Sequence, residues 1–160
     1  MLIGPSLAGG WTLENFWATG FVKTYASSLT ALAVEKYPID NCAVQTRTTQ
    51  PAGTAEPVDT FLTHKLGQSI VAPYLASTQY AQTMLRPFLM FETNLASCAG
   101  FTDISDSFGA ALWGVDYALQ MAYGNFSGAL FHVGGQRDFY SVGGVVLDVT
   151  DILTHSSVLS

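Results

Sequence analysis

Short apolar blocks alternate along the chain with longer segments in which apolar residues recur at helical spacing. The clearest block, residues 88–91, is continuously apolar, as in strands that are buried on both faces of a parallel sheet. Comparable blocks precede and follow it. We therefore predict four strands, at residues 2–6, 29–34, 88–91 and 128–133.

Helical patterns separate these strands. Thr12 is a suitable N-cap for the first helix, and Gly124 is a suitable stop for the last one, which Ser105 or Asp106 caps. The last helix carries an apolar stripe of the kind that packs on a core: Phe108, Leu112, Val115, Leu119 and Ala122. The predicted helices span residues 13–27, 58–65, 75–85 and about 106–123.

The order of strands and helices predicts the α/β class. Alternating strands and helices form parallel βα units with right-handed crossovers, as in a (β/α)8 TIM barrel. About four units are present, half of the eight that close a barrel, so we predict a partial, truncated TIM barrel over residues 1–140. Its open sheet edges favour self-association. Residues 141–160 form a divergent tail whose β-prone pattern reveals no catalytic feature.

Composition narrows the possible partners. The 160 residues include 49% hydrophobic and only 11% charged side chains, which suits a large buried assembly. The formal charge of -6 and the six basic residues argue against nucleic acid as a partner. No apolar run approaches the ~20 residues that cross a bilayer, so we predict no membrane partner, and the first residues lack the pattern of a signal peptide.

One carboxylate stands out. Glu92 ends the apolar block 88–91, and barrel enzymes place catalytic side chains where such strands end. Glu92 is therefore our candidate catalytic carboxylate. The alternative is that Glu92 simply opens a loop into solvent.

The cysteines and histidines point to no cofactor. Cys42 and Cys98 each follow a predicted strand on what would be the same barrel end, and they are candidates for a disulfide or for two unpaired thiols. His64, His132 and His155 are scattered, and neither a metal-ligand spacing nor a phosphate-binding glycine motif is present. We predict no metal and no other cofactor.

Several motifs together resemble fungal β-glucuronidases of glycoside hydrolase family 79 over roughly residues 2–140. Residues 87–94, Pro-Phe-Leu-Met-Phe-Glu-Thr-Asn, are similar to the nucleophile strand of that family, and residues 128–136, Gly-Ala-Leu-Phe-His-Val-Gly-Gly-Gln, to its last barrel strand. The pair Tyr37-Pro38 and the segment 105–113 add to the likeness.

The resemblance implies a retaining glycosidase that acts on β-glucuronides without a cofactor. By this likeness Glu92 is the nucleophile and Tyr37 orients it, although Tyr37 is alternatively a rim aromatic. The resemblance also assigns the sugar's carboxylate to the loops after the last two strands, where Ser97, Gly100, Gln136 and Tyr140 are candidates. Arg137 and Tyr140 can equally be surface residues. Asn125-Phe126-Ser127 is an N-glycosylation acceptor sequence, which fits a secreted parent protein.

The chain departs from the family at the acid/base. That glutamate lies in an Asn-Glu-Pro motif, which does not occur in these 160 residues. Glu35 could replace it, but its place within a strand end favours a structural role. We therefore expect an incomplete, inactive glycosidase fragment; the alternative is a non-catalytic carbohydrate-binding or self-associating half-barrel. A serine hydrolase is disfavoured because the sequence has no Gly-x-Ser-x-Gly motif.

Overall fold

A computed structural model describes residues 2–7, 10–39, 42, 63–101 and 104–133. Within these ranges strands and helices alternate, and a short 3-10 helix, Ala72–Tyr74, joins the third and fourth helices. The elements are β1 (Leu2–Ile3), α1 (Leu13–Ala18), α2 (Phe21–Thr24), β2 (Leu29–Glu35), α3 (His64–Val71), α4 (Leu75–Thr83), β3 (Phe88–Thr93), α5 (Phe108–Tyr123) and β4 (Gly128–Phe131).

The strands form one parallel sheet in the order β1-β2-β3-β4. Each strand pairs with the next one along the chain, as in a (β/α)8 barrel, whereas a doubly wound sheet reverses its order near the middle. The predicted α/β class is confirmed. The described sheet is consistent with part of a TIM barrel.

Apolar side chains hold the helices on the sheet. Leu32 and Val34 of β2 and Phe88 and Met90 of β3 are buried in one cluster that also contains Trp113 and Tyr117 of α5. Trp113 stacks on Tyr117 with ring centroids 5.0 Å apart, and Trp113 also meets Phe131 of β4 edge to face. This packing fixes α5 against the strands that end at the candidate site.

The strand bounds differ from the predictions at both ends of the sheet. β1 covers only Leu2–Ile3, and Leu7 rejoins β2 through an isolated bridge to Val34. Pro5, which has no N–H group, and Ser6, with a φ of +53°, interrupt the strand. β3 is longer than predicted, so that Glu92 and Thr93 belong to the strand. β4 ends at Phe131, and the segment 141–160 lies outside the described residues.

The helix predictions were wrong in three details. Gly20, with a φ of +79°, divides the predicted first helix into α1 and α2. The second predicted helix does not end at Lys65, because α3 continues to Val71. The N-cap of α5 is Ser107, whose side chain accepts a hydrogen bond from the Ala110 amide. The predicted helix start at 58–62 lies outside the described residues.

The apolar stripe of α5 faces away from the sheet. Phe108, Leu112, Val115 and Leu119 are exposed, whereas the opposite side of the helix buries Ala110, Trp113, Gly114, Tyr117, Ala118 and Met121. The helix is apolar nearly all round, so the stripe alone did not identify the packed face.

A close approach at Gly124 gives a stability prediction. A Cβ atom on Gly124 would lie 2.8 Å from Val71 Cγ1 and 3.2 Å from Leu75 Cδ2, where α5 ends against α3 and α4. We expect Gly124→Ala to lower the free energy of unfolding by about 1–3 kcal/mol, as overpacking does elsewhere, measured by urea denaturation. Gly10→Ala is the control, since its Cβ meets nothing within 4 Å. Equal stability of the two variants would contradict this packing.

Of the helices in the described ranges, none combines the length and apolar character that a bilayer crossing requires.

Candidate functional site at the strand ends

Three polar side chains converge where β2, β3 and β4 end. Tyr37 follows β2 by two residues, Glu92 is the penultimate residue of β3, and His132 directly follows β4. The Tyr37 hydroxyl lies 2.8 Å from Glu92 Oε1 and 2.8 Å from His132 Nδ1. His132 Nδ1 is 3.4 Å from the same carboxylate oxygen. The carboxyl ends of parallel strands thus bring together residues that are 55 and 95 positions apart.

A bulge in β3 aims Glu92 at this site. Val34 of β2 pairs with Met90 of β3, and the next residue of β2, Glu35, pairs with Glu92. β3 therefore has one more residue than β2 between these two pairs. The pairing with β4 is shifted in the same stretch. Strict alternation would place Glu92 on the same face as the buried Met90. The extra residue instead directs the carboxylate toward Tyr37, the kind of re-aiming for which bulges occur beside functional sites.

Backbone and side-chain hydrogen bonds fix the strand ends relative to one another. The Lys36 amide donates to Glu92 O at 3.0 Å, and the Thr93 hydroxyl donates to Lys36 O at 2.6 Å. These bonds flank Tyr37 and Glu92 on both strands. They hold the phenol and the carboxylate at hydrogen-bonding distance.

Asn94 joins the third strand to this arrangement. Its side chain is nearly buried, and its Nδ2 donates to His132 O at 2.7 Å. The Asn94 Oδ1 accepts from the Leu95 amide, which fixes the orientation of the carboxamide. The His132 amide donates to Thr93 O at 2.8 Å. The backbone of His132 is therefore held on both sides by the strand that carries Glu92.

A disulfide cross-links the loops that follow β2 and β3. Cys42 and Cys98 are bonded, with their Cα atoms 5.0 Å apart. Nearby, Ile39 forms a bridge to Ala96, and its carbonyl accepts from the Ser97 amide at 2.9 Å. The same two loops leave the strand ends that carry Tyr37 and Glu92, so the disulfide ties these two loops together.

The site is partly open to solvent. The side chains of Glu92 and His132 are each 44% exposed, so a ligand can reach the carboxylate. On α5, burial raises the pKa of the Tyr117 hydroxyl.

Glu35 is engaged on the other side of β2. Its Oε1 accepts a hydrogen bond from the Ser6 hydroxyl at 2.6 Å, toward β1 and away from β3. Glu35 also lines a cleft of about 250 Å³ together with Trp11, Glu14 and Tyr74, and this cleft includes neither Glu92 nor Tyr37. These contacts fit the structural role that the sequence favoured for Glu35.

The four residues predicted to bind the sugar divide into two pairs. Ser97 and Gly100 lie in the loop after β3, where the Gly100 amide donates to Ser97 O at 3.2 Å and Ser97 Oγ is 3.4 Å from Cys42 Sγ. Gln136 and Tyr140 lie outside the described residues. Sugar binding by all four stays a prediction.

Asn125 of the acceptor sequence lies at the opposite end of the sheet from Glu92. It is exposed, with a φ of +64°, in the turn between α5 and β4. The Ser127 hydroxyl accepts from the Phe88 amide, and Phe126 is buried. A glycan at this turn would leave the strand ends accessible, and the modification stays a prediction.

The described residues contain no group of three or more His, Cys, Asp or Glu side chains that could hold a metal ion.

Two members of this site were missed by the sequence reasoning. The sequence presents His132 as one of three scattered histidines and Asn94 as part of the motif at residues 87–94. Each directly follows the observed end of its strand, but the predicted strand 128–133 places His132 inside the strand. Polar residues there meet at one edge of a parallel sheet.

Comparisons with known proteins agree with the architecture. Residues of this chain are 40% identical, over 55 positions, to a β-glucuronidase of Aspergillus niger, a match that covers 34% of this chain and 10% of that protein. The fold is similar to the crystal structure of a 4-O-α-L-rhamnosyl-β-D-glucuronidase from Fusarium oxysporum in complex with Rha-GlcA. That similarity has a TM-score of 0.66 at 21% identity and covers 87% of this chain and 27% of the Fusarium chain.

The extent of these matches limits what they establish. The chain spans about a tenth of the length of the curated relative and about a quarter of the solved structure. No protein-family model matches the chain. The comparisons therefore show a fold similar to part of the Fusarium structure, and a local similarity to a fungal β-glucuronidase.

Proposed function

We propose that this chain is part of the catalytic barrel of a retaining glycoside hydrolase acting on β-linked glucuronides, with Glu92 as the nucleophile. One observation carries the proposal: the Tyr37 hydroxyl lies 2.8 Å from Glu92 Oε1 at the ends of neighbouring parallel strands. A phenol in this position donates to the charged form of the carboxylate and holds one oxygen in place. The other oxygen is left to attack.

The comparisons support the substrate class. The partial relative is a β-glucuronidase, and the structurally similar protein is a glucuronidase that was solved with a glucuronic acid derivative. Glu92 lies at the end of a parallel strand, which agrees with a catalytic role in a glycosidase of this kind. On this proposal the chain belongs among the family 79 glycosidases that its motifs resemble.

The proposed reaction is that of a retaining glycosidase, with Glu92 as the nucleophile. Glu92 attacks the anomeric carbon, a bond forms from a carboxylate oxygen to C1, and the bond from C1 to the leaving oxygen breaks. The leaving oxygen takes a proton from a second carboxylic group, and that group then removes a proton from the water that hydrolyses the glycosyl ester. Tyr37 orients the nucleophile through both steps.

No second carboxylic group is assigned to this site among the residues that the structure describes. Retaining enzymes hold the two groups ~5–5.5 Å apart, and no Asn-Glu-Pro motif occurs in the 160 residues. Glu35 is bound to Ser6 on the far side of β2. We therefore propose that these 160 residues carry the nucleophile half of the machinery and are inactive on their own.

Recognition of the sugar's carboxylate is assigned to the two loops after β3 and β4. Ser97, Gly100, Gln136 and Tyr140 are the proposed contacts. A secreted location of the parent protein is part of the same proposal, and the disulfide supports it because such bonds persist in oxidising compartments.

A turnover assay tests this function. We expect the purified 160-residue protein to give no steady release of the aglycone from a chromogenic β-glucuronide, because the acid/base motif that would activate water does not occur in the sequence. Steady turnover that disappears in Glu92→Gln would contradict the inactivity. Turnover that survives Glu92→Gln would contradict the whole assignment.

A second function, a non-catalytic half-barrel that binds carbohydrate or associates with itself, is favoured by the edges of the sheet. Leu2 and Ile3 on β1, and Leu130 and Val133 on and after β4, are exposed on the two outer strands of the described sheet. Such edges favour pairing with another chain. A monodisperse dimer in sedimentation that binds glucuronate without forming a covalent adduct would favour this function over the first.

A further inference from the structure

Two short contacts of the Tyr37 hydroxyl constrain where its proton lies. The phenol oxygen lies 2.8 Å from Glu92 Oε1 and 2.8 Å from His132 Nδ1, yet it carries a single proton. An ionised carboxylate accepts only. If Glu92 is ionised, as a nucleophile must be, the phenol proton goes to Glu92 and cannot also go to His132.

The remaining short contact then fixes the role of the histidine. A bare Nδ1 opposite the phenol oxygen would place two lone pairs 2.8 Å apart. The contact is favourable only when Nδ1 carries a proton and the phenol oxygen accepts it. The same N–H lies 3.4 Å from Glu92 Oε1, so its dipole also favours the negative charge there.

From this we infer that His132 is a positioning residue whose Nδ1–H donates to Tyr37 and thereby commits the phenol proton to Glu92. The inference rests on the proposed function, since it assumes an ionised nucleophile. It assigns His132 no contact with the reacting atoms. The histidine acts through Tyr37, as the third member of a chain that runs from His132 to Tyr37 to Glu92.

The surroundings of His132 suit a fixed donor. Its backbone is held by the Asn94 carboxamide and by Thr93 O. Because the amide and the carbonyl of His132 are both hydrogen-bonded, its ring keeps Nδ1 near the phenol. Little conformational entropy is then lost when a ligand binds. In this series of hydrogen bonds Tyr37 is both an acceptor and a donor, which strengthens each of the two bonds.

The proton position can be measured without any activity. Uniformly ¹⁵N-labelled protein contains three histidines, and His64→Asn and His155→Asn variants assign their ring signals by elimination. At about pH 8.5, above the ordinary titration range of imidazole, we expect the His132 Nδ1 to give the signal of a protonated nitrogen and Nε2 that of a bare one. In Tyr37→Phe the acceptor at 2.8 Å is gone and only Glu92 Oε1, at 3.4 Å, remains for Nδ1–H, so we expect a shift toward the Nε2–H tautomer.

A bare Nδ1 in the wild-type protein would overturn the inference. So would a tautomer that does not change in Tyr37→Phe. Neither result bears on whether Glu92 attacks a sugar, so the failure of this inference is distinct from the failure of the proposed function.

Two substitutions of the histidine separate donation from packing. In His132→Asn the side-chain amide can supply an N–H near the position of Nδ1, whereas His132→Leu supplies none. We expect covalent labelling of Glu92 by an activated fluoroglucuronide to fall at least about tenfold in His132→Leu, the scale of one lost hydrogen bond to a charged pair. In His132→Asn we expect a loss of less than about threefold.

His64→Leu is the matched control. His64 is likewise exposed and hydrogen-bonded, to Asp116 at 2.8 Å, but lies on α3 away from the strand ends. Labelling of Glu92 in the His64→Leu variant is expected to match that of the wild type. Equal labelling of His132→Leu and His132→Asn would overturn the positioning role.

Discussion

The wild-type protein is expected to form a covalent adduct with 2-deoxy-2-fluoro-β-D-glucuronyl fluoride, and the Glu92→Gln variant is not. Fluoride leaves C1 without being protonated, so this reagent needs the nucleophile but not the second carboxylic group. The fluorine at C2 disfavours the oxocarbenium-like transition state, which slows hydrolysis of the ester and lets it accumulate. We expect the labelling rate of Glu92→Gln to fall on the order of 10⁴-fold or more, the scale on which loss of a covalent nucleophile slows other enzymes.

Glu35→Gln is the matched control for that experiment. Both carboxylates end neighbouring strands and are paired in the sheet register, but Glu35 bonds to Ser6 and Glu92 bonds to Tyr37. Intact-mass spectrometry of the two variants over time gives the rates. Labelling that is lost in Glu35→Gln and kept in Glu92→Gln would reverse the roles assigned to the two glutamates.

The largest expected effect on stability comes from the disulfide. Cys42 and Cys98 close a loop with a sequence separation of 56 residues. In the chain-entropy account, opening a loop of this length in the unfolded state lowers the free energy of unfolding by about 4 kcal/mol. We expect a Cys42→Ser, Cys98→Ser double variant to lose this amount in urea denaturation.

The wild-type protein in reductant provides the comparison for the double variant. Its stability is expected to match that of the double variant under the same conditions, since both lack the cross-link. A difference of less than about 1 kcal/mol between the oxidised protein and the double variant would mean that the loop is already closed by other contacts in the unfolded chain. The same cross-link ties the loops after β2 and β3, so the variant is also expected to label more slowly.

The sequence predicted the part of the site that a single strand end reveals. Glu92 was identified because it follows an apolar run at the place where barrel enzymes carry catalytic side chains, and Tyr37 was identified through the resemblance to family 79 glycosidases. Both residues lie at the carboxyl ends of neighbouring parallel strands, as expected for this class of fold. Their roles as nucleophile and orienting group remain predictions.

The bulge in β3 was beyond the reach of pattern analysis. By alternation alone Glu92 would share the buried face of Met90, and the extra residue becomes visible only when the strand is aligned with both neighbours. His132 was missed for a related reason. Its contact with Tyr37 spans 95 positions and depends on strand register, which periodicity does not encode.

The packed face of α5 shows a different limit. Its apolar stripe at Phe108, Leu112, Val115 and Leu119 predicted a core-facing side, yet the core takes the side that carries Trp113 and Tyr117. In a helix that is apolar nearly all round, hydropathy alone does not identify the side that packs on the sheet.

The position of the glycosyl ester tests the central claim most directly. After reaction with the fluoroglucuronyl fluoride, pepsin digestion and tandem mass spectrometry locate the modified residue; trypsin is unsuitable because Pro87 follows Arg86. The account predicts the added mass on Glu92 within the Phe88–Thr93 strand. An adduct on Glu35, or on any residue other than Glu92, would contradict it.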